Sequence, residues 1–153
     1  MSSVTWHCLH HRELDTATLY ELLALRTQVF VVEQNCPYLE TDGQDLIGDT
    51  CHLLARDESG LLGYLRLLDP QRMNGEVVIG RVLTAERARG SGLGHRLMER
   101  GLVECGQRWP GVPVYLSAQA HLQGYYGRYG FVAVTEVYLR TVSRISACAG
   151  PLL

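Results

Sequence analysis

The stretch "VVIGRVLTAERARGSGLGHRL", residues 77–97, places an apolar run, a glycine-rich turn and the start of a helical pattern in direct succession. Residues 77–85 are β-branched and apolar enough for a central strand. From residue 93 onward apolar residues recur at helical spacing until "WPG", residues 109–111, ends the pattern. The stretch therefore predicts a strand that feeds a long helix through Gly90, Gly92 and Gly94.

This glycine turn has the properties of an anion site. Glycines leave backbone N–H groups unblocked, and the N-terminus of the following helix carries the positive end of the helix dipole, where a phosphate is stabilised. Side-chain charge around the turn comes from Arg87, Arg89, His95, Arg96 and Arg100. The alternative is a tight turn with solvated arginines.

Two common phosphate-binding motifs do not fit the turn. A P-loop requires a lysine, and the chain contains none. A dinucleotide fingerprint requires a third glycine or an alanine, where this chain has His95 or Leu97, depending on the register. Neither nucleotide-binding fold is predicted.

The remaining chain alternates between strand-like and helix-like segments. A helix is predicted from an N-cap at Asp15 or Thr16 to about Glu33, and "RDESG" separates the two arms of a hairpin. The predicted strands are residues 4–11, 51–55, 61–69, 77–85, 112–120 and 131–139, with a short helix over residues 122–129. No repeat or linker interrupts this order, which predicts one three-layer α/β domain.

Composition limits the classes of function. The chain has 153 residues, 46% of them hydrophobic and 20% charged, which suits one ordinary globular domain. Its formal charge of -2 gives no general attraction to nucleic acid or to an anionic membrane. No apolar run approaches the ~20 residues that span a bilayer. We therefore expect a cytoplasmic protein without nucleic-acid or membrane partners.

Cysteine and histidine positions argue against disulfides and metal. The five cysteines are scattered and include no C-x-x-C pair, which favours reduced thiols with a structural packing role. His7, Cys8, His10 and His11 have no ligand spacing, and strand alternation puts His7 and Cys8 on opposite faces. We expect no metal site.

Two motifs together carry a resemblance to a known family. "RGSGLG", residues 89–94, matches the R/Q-x-x-G-x-G/A signature of the GNAT superfamily of N-acetyltransferases, and "YYGRYGF", residues 125–131, resembles that family's second conserved segment. Further segments up to about Leu139 look like the ElaA-type branch of the superfamily. The resemblance implies a single-domain α/β GNAT fold, with a mixed, mostly antiparallel sheet that splays between strands 4 and 5 and with helices on both faces.

The same resemblance implies acetyl-CoA as the acyl donor. Amides of the glycine turn would hold the pyrophosphate, Arg89 would help orient the turn, and the strand would pair with the pantetheine arm, one N–H polarising the thioester carbonyl. The implied cofactor-binding residues are Val82, Leu83, Thr84, Arg87, Arg89, Gly90, Ser91, Gly92, Leu93, Gly94, His95 and Gln119.

Catalytic roles also follow from the family. An amine would attack the thioester directly, and Tyr126 would serve as general acid for the departing sulfur. The alternative for Tyr126 is a core-facing aromatic stripe, which we prefer for Tyr125 and Tyr129. Glu76, at the mouth of the predicted fourth strand, would be the general base, or else an exposed turn residue after Gly75.

The acceptor is expected to be a primary amine of a small molecule, a peptide or a protein. Glu33, Asp42 and Asp45 lie in the acidic helix end and loop expected to border its site, where they would relay a proton or attract a cationic amine; the alternative is solvated surface charge. A homodimer is a further expectation. A non-catalytic acyl-CoA-binding module of the same fold is the alternative function.

The tail departs from the ElaA-type pattern after Leu139. Where the branch continues close to "EDGIPHIGMRR", this chain has "RTVSRISACAGPLL". Restoring one G after the Leu139 codon, in a permitted coding of residues 139–150, yields "LEDGIPHIGMRR". We predict that one N-acetyltransferase domain spans residues 1–153 and that its tail from about residue 140 derives from a one-nucleotide deletion, natural or a sequencing error.

Overall fold

The structure, a computed structural model, describes residues 3–116, which form one sheet with a helix on each face. The strands are β1 (Thr5–His10), β2 (Cys51–Asp57), β3 (Gly60–Leu68), β4 (Val77–Thr84) and β5 (Val114–Leu116). The helices are α1 (Thr16–Thr27), which continues as a π-helical segment (Gln28–Glu33), and α2 (Leu93–Arg108). Short 3-10 turns lie at His11–Glu13, Pro70–Arg72 and Glu86–Ala88.

The sheet follows chain order, β1-β2-β3-β4-β5. Neighbouring strands from β1 to β4 are antiparallel, whereas β4 and β5 are parallel. A parallel pair needs a crossover connection, and α2 supplies it. The predicted hairpin forms between β2 and β3, and the predicted mixed, mostly antiparallel sheet is confirmed for the described residues.

The first helix begins where its cap was predicted. The Asp15 carboxylate accepts a hydrogen bond from the Thr18 N–H at 2.7 Å. The helical path also reaches Glu33 as predicted, but its last six residues are π-helical. Apolar spacing of three and four residues reports winding around an axis and does not distinguish bonding to residue i−4 from bonding to residue i−5.

Two apolar layers hold the helices to the sheet. On one face, α1 packs onto side chains such as Leu54, Tyr64 and Leu83. On the other, α2 packs onto the neighbouring strand positions, including Leu53 and Leu65. Side chains of β3 alternate between the two faces of the sheet, and a helix covers each face. β3 is therefore buried along nearly its whole length. The result is the predicted three-layer arrangement.

Glycines allow α2 to approach β3 closely. A Cβ at Gly63 would lie 2.8 Å from the Cδ1 atom of Leu97, and one at Gly101 would lie 3.0 Å from Cδ2 of Leu65. Both distances are shorter than ordinary carbon contacts. This seating fixes the N-terminus of α2 relative to the end of β4.

Candidate functional site

β4 contains a β-bulge at its centre. Gly80 and Leu83 pair with residues two apart on β3, so Arg81 and Val82 stand opposite Leu65 alone. Arg81 has a φ of 53°, in the left-handed region. A non-glycine residue there costs roughly 1–2 kcal/mol, so surrounding contacts must hold the bulge in place.

The described pairing between β4 and β5 lies before the bulge. Over the described residues, their pairing covers Val77, Val78 and Ile79, and β4 then continues to Thr84. Its residues 83 and 84 remain paired with β3 on the other side. Pairing of residues 82–84 with the pantetheine arm, along the edge of β4 that faces away from β3, stays a prediction.

The glycine turn presents the start of α2 without a side-chain cap. Gly90 and Gly92 have φ values of 82° and 81°, and a Cβ at either position would meet no atom within 4 Å. Gly92 is the N-cap and supplies no side-chain hydrogen bond. The first amides of an α-helix have no acceptor one turn earlier, and in α2 these include the amides of Leu93 and Gly94. The open space and these amides fit a pyrophosphate.

Arginines of the turn are engaged in ion pairs. Arg89 donates from Nε to the Thr84 carbonyl at 3.2 Å and from Nη2 to Glu33 Oε1 at 2.7 Å. It thereby joins the turn to the end of β4 and to the π-helical segment. Arg87 forms a two-point ion pair with Asp57 at 2.9 and 3.0 Å. Their predicted roles toward acetyl-CoA stay predictions.

Of the other polar residues near the turn, one makes a local hydrogen bond and the rest lie on α2. Ser91 donates to the Ala88 carbonyl at 2.5 Å, which closes the turn. His95 and Arg96 are exposed on the first turn of α2. Arg100 lies over the Trp6 ring at 4.9 Å from its centroid. The arginines adjacent to the α2 N-terminus are thus Arg89 and Arg96, rather than Arg100.

Arg26 of α1 forms the centre of a buried charged cluster. Its side chain is 0% exposed, and its guanidinium contacts Glu40 Oε2 at 2.6 Å and Asp45 Oδ1 at 2.5 Å. A further N–H donates to the Glu40 carbonyl at 3.2 Å. Tyr38 donates its hydroxyl to the other Glu40 oxygen at 2.7 Å. Such a charge tolerates burial only when it is paired and hydrogen-bonded in this way.

Arg66 of β3 and Arg81 of the bulge complete the cluster. Arg66 is 3% exposed and contacts both Asp42 oxygens, at 3.0 and 2.9 Å, and Asp45 at 3.0 Å. Arg81 donates to Glu40 Oε2 at 2.8 Å and to Asp42 Oδ2 at 3.2 Å. We call this set the arginine–carboxylate cluster: Arg26, Glu40, Asp42, Asp45, Arg66 and Arg81. Its three positive and three negative charges balance.

His52 of β2 lies beside the cluster in a defined tautomer. Its Nε2 donates to the Asp45 carbonyl at 2.9 Å, so its Nδ1 accepts from the Tyr64 hydroxyl at 2.5 Å. Burial lowers the pKa of His52 to about 4, and the positive charges of Arg26 and Arg66 also disfavour protonation. His52 is therefore neutral at physiological pH.

Of the predicted acceptor-site carboxylates, Asp42 and Asp45 lie in the arginine–carboxylate cluster, whereas Glu33 pairs with Arg89. Burial acts to raise the pKa of Asp42, but hydrogen bonds and charges from Arg66 and Arg81 outweigh it and lower that pKa to about 2. The pKa of Asp45 is likewise lowered, because Arg26 and Arg66 outweigh its burial. Both are arginine-paired anions and poor proton acceptors at neutral pH. Their contact with an acceptor, like that of Glu33, stays a prediction.

Glu76 lies in the turn immediately before β4, after the left-handed residues Asn74 and Gly75. Val82 lies six positions further along the chain, which at about 3.3 Å per residue is at most about 20 Å. A proton released beside residues 82–84 would not reach Glu76 directly. Its role as base stays a prediction that requires a relay of bound water.

Several predicted features fall outside the described residues. They are Gln119, the helix over residues 122–129 with Tyr126, the strand over residues 131–139 and the tail from about residue 140. Within residues 3–116, no group of three or more histidine, cysteine or carboxylate side chains is arranged to hold a metal. The same residues contain no helix long and apolar enough to cross a membrane. Among the described residues, Cys8, Cys36, Cys51 and Cys105 are not in disulfides.

Sequence reasoning missed most of the arginine–carboxylate cluster. Arg26 falls on the apolar face of α1, and Arg66 interrupts the apolar run of β3. A charge inside an apolar pattern signals a buried partner. The acids of the loop after α1 were visible candidates, but nothing in their spacing pairs them with these arginines.

Comparisons with known proteins agree with this architecture. A family model described as an acetyltransferase (GNAT) domain matches residues 27–144. Protein ElaA of Escherichia coli K12 is 50% identical over 135 residues, which cover 88% of each chain. The E. coli ElaA crystal structure superposes with a TM-score of 0.84 at 49% identity, covering 88% of this chain and 90% of that one.

Two further solved structures are similar. An acyl-CoA N-acyltransferase from Pseudomonas aeruginosa is 63% identical, with a TM-score of 0.85 and coverage of 88% of this chain and 90% of that one. A predicted acetyltransferase from Clostridium acetobutylicum, solved with acetyl-CoA, has a TM-score of 0.64 at 15% identity, covering 88% and 93%. The latter supports the fold alone. Together they confirm a single α/β domain with an open, mixed sheet.

Proposed function

The chain belongs to the GNAT acetyltransferase family, and from that premise we propose that it transfers an acetyl group from acetyl-CoA to a primary amine. The acceptor amine belongs to a small molecule, a peptide or a protein. One observation carries the proposal. The strand β4, with a bulge at Arg81 and Val82, leads through the glycine turn to the N-terminus of α2, which has no side-chain cap.

The two parts of this site suit the two halves of acetyl-CoA. Amides of Gly90, Gly92 and the first turn of α2 would bind the pyrophosphate, assisted by the helix dipole. Backbone groups of residues 82–84 would pair with the pantetheine arm. An N–H beside the bulge would then face the thioester oxygen and stabilise its developing negative charge.

The proposed reaction is direct transfer. The amine nitrogen forms a bond to the thioester carbonyl carbon, the carbon–sulfur bond breaks, and the sulfur leaves as a thiolate. One proton must leave the nitrogen, and one must reach the sulfur. We assign the second proton to the Tyr126 hydroxyl, at the family's matching position, and a supporting cofactor contact to Gln119.

The described carboxylates support an acceptor that arrives as a neutral amine. Asp42 and Asp45 have lowered pKa values and arginine partners, so neither takes up a proton readily near neutral pH. The cluster around them has balanced charge and offers no net attraction for a cation. We therefore expect turnover to increase as pH rises toward the pKa of the amine.

A charge placed at the α2 N-terminus tests the donor site. Gly92→Glu should weaken acetyl-CoA binding by about tenfold or more in isothermal titration, because a carboxylate would repel the pyrophosphate and fill its space. Gly92→Ala shows the cost of the left-handed backbone alone. Gly106→Glu, on an exposed and open position of the same helix, is the matched control and should bind normally. Normal binding by Gly92→Glu would show that the donor site lies elsewhere.

Turnover is tested with thiol release from acetyl-CoA across a panel of amines. Tyr126→Phe should lower kcat by about 100-fold or more while acetyl-CoA binding persists, since only the proton donor is removed. A parent chain that binds acetyl-CoA but acetylates no amine would support the acyl-CoA-binding module instead. Unchanged kcat in Tyr126→Phe would remove Tyr126 from the mechanism.

A further inference from the structure

Arg81 connects the β4 bulge to the loop that follows the π-helical segment. Its Nε contacts Glu40 at 2.8 Å, and its Nη2 contacts Asp42 at 3.2 Å and the Glu40 carbonyl at 3.4 Å. These partners lie about forty residues earlier in the chain, at separations of 41 and 39. The bulge is thus tied to a distant segment through one side chain.

Both partners of Arg81 are themselves held firmly. Glu40 is 5% exposed and is bound by buried Arg26 and by the Tyr38 hydroxyl. Asp42 is held at both oxygens by Arg66. Arg81 therefore joins the bulge to two carboxylates that other side chains already hold.

The backbone at Arg81 requires such contacts. Its φ of 53° is unfavourable for any residue except glycine, and the side chain is the contact that distinguishes arginine from glycine here. The bulge also sets which β4 backbone groups face β3 and which face away from it. A shift of one residue would reverse those directions for residues 82–84.

On the basis of the proposed function, we propose that Arg81 is a positioning residue: its ion pairs with Glu40 and Asp42 hold the β4 bulge in the register that presents residues 82–84 to acyl-CoA. The same contacts couple the acyl-donor strand to the loop that carries the predicted acceptor-side carboxylate Asp42. Arg81 acts through the backbone and need not touch either substrate.

Amide hydrogen exchange on the ligand-free chain tests the positioning directly. Arg81→Gly removes the ion pairs while allowing the left-handed backbone, so it separates anchoring from strain. Exchange at residues 82–84 and 38–42 should accelerate about fivefold or more. Arg81→Lys, which keeps a charge able to reach Glu40, should restore most of the protection.

Acetyl-CoA titration of the same variants provides the second measurement. The Kd of Arg81→Gly should rise about fivefold or more, with recovery in Arg81→Lys. Arg56→Met is the matched control, because Arg56 forms a similar half-buried ion pair with Glu21 at 2.7 Å near the other edge of the sheet. It should leave both exchange at residues 82–84 and the Kd unchanged.

The outcomes separate this inference from the proposed function. If Arg81→Gly exchanges and binds acetyl-CoA as Arg56→Met does, Arg81 does not position the bulge, and the function is unaffected. If the parent chain binds no acetyl-CoA, the proposed function fails, while the exchange rates still decide whether Arg81 holds the bulge. Equal loss in Arg81→Lys and Arg81→Gly would overturn the role of charge.

Discussion

Arg26 shows how one buried charge organises a loop. Three of its nitrogen atoms contact two carboxylates and a carbonyl, so the side chain uses the planar fork that distinguishes arginine from lysine. The acids it binds belong to a segment with few regular hydrogen bonds of its own. Arg26 therefore fixes the path of that segment across the face of the sheet.

Replacing Arg26 should be strongly destabilising. Arg26→Met removes a positive charge from between Glu40 and Asp45 and leaves both carboxylates less compensated in a buried site. We expect the free energy of unfolding to fall by about 3 kcal/mol or more in urea titrations. The matched Arg56→Met change breaks a partly exposed pair with Glu21 and should cost under about 1 kcal/mol. Equal losses of unfolding free energy would show that burial of the cluster does not increase the cost of removing one of its charges.

The helix α2 illustrates which elements local sequence determines. Its start at Leu93 follows from the Gly90 and Gly92 turn, and its apolar spacing was sufficient to predict the element. Both signals act within a few residues of the structure they specify. The bulge at Arg81 lacks such a signal, because an arginine in a left-handed conformation is stabilised by acids about forty residues away.

A Gly→Ala substitution should have different effects at two positions of α2, because only one of them packs against β3. Gly106→Ala adds a methyl group in open space on a helix and should stabilise the protein by about 0.5–1 kcal/mol. Gly101→Ala has the same helical benefit, but its Cβ would lie 3.0 Å from Leu65 and must displace that side chain. Thermal or urea unfolding should show a gain for Gly106→Ala alone. An equal gain for both would indicate that α2 sits farther from the sheet.

Across the molecule, short-range sequence patterns predicted the layers of the fold but did not predict the long-range charge pairs. The order of strands and helices, the hairpin and the glycine turn were predicted from periodicity and turn residues. In the arginine–carboxylate cluster, the partners of Arg26, Arg66 and Arg81 lie 14 to 41 residues distant in the chain. Many acids and bases are available at such separations, so composition does not specify the pairs.

The cluster also makes the stability of the fold sensitive to acid. His52 has a pKa of about 4 in the folded chain, against an ordinary value of 6.5, because burial and nearby arginines disfavour its protonation. The unfolded chain thus binds the proton more strongly between these pH values, and folding stability must fall as pH drops from 6.5 toward 4. The loss is on the order of 3 kcal/mol from this histidine. Urea titrations across this range should show it, and His52→Gln, whose amide keeps a donor for Asp45, should reduce the slope. If the slopes of His52→Gln and the parent agree, His52 does not control the acid response.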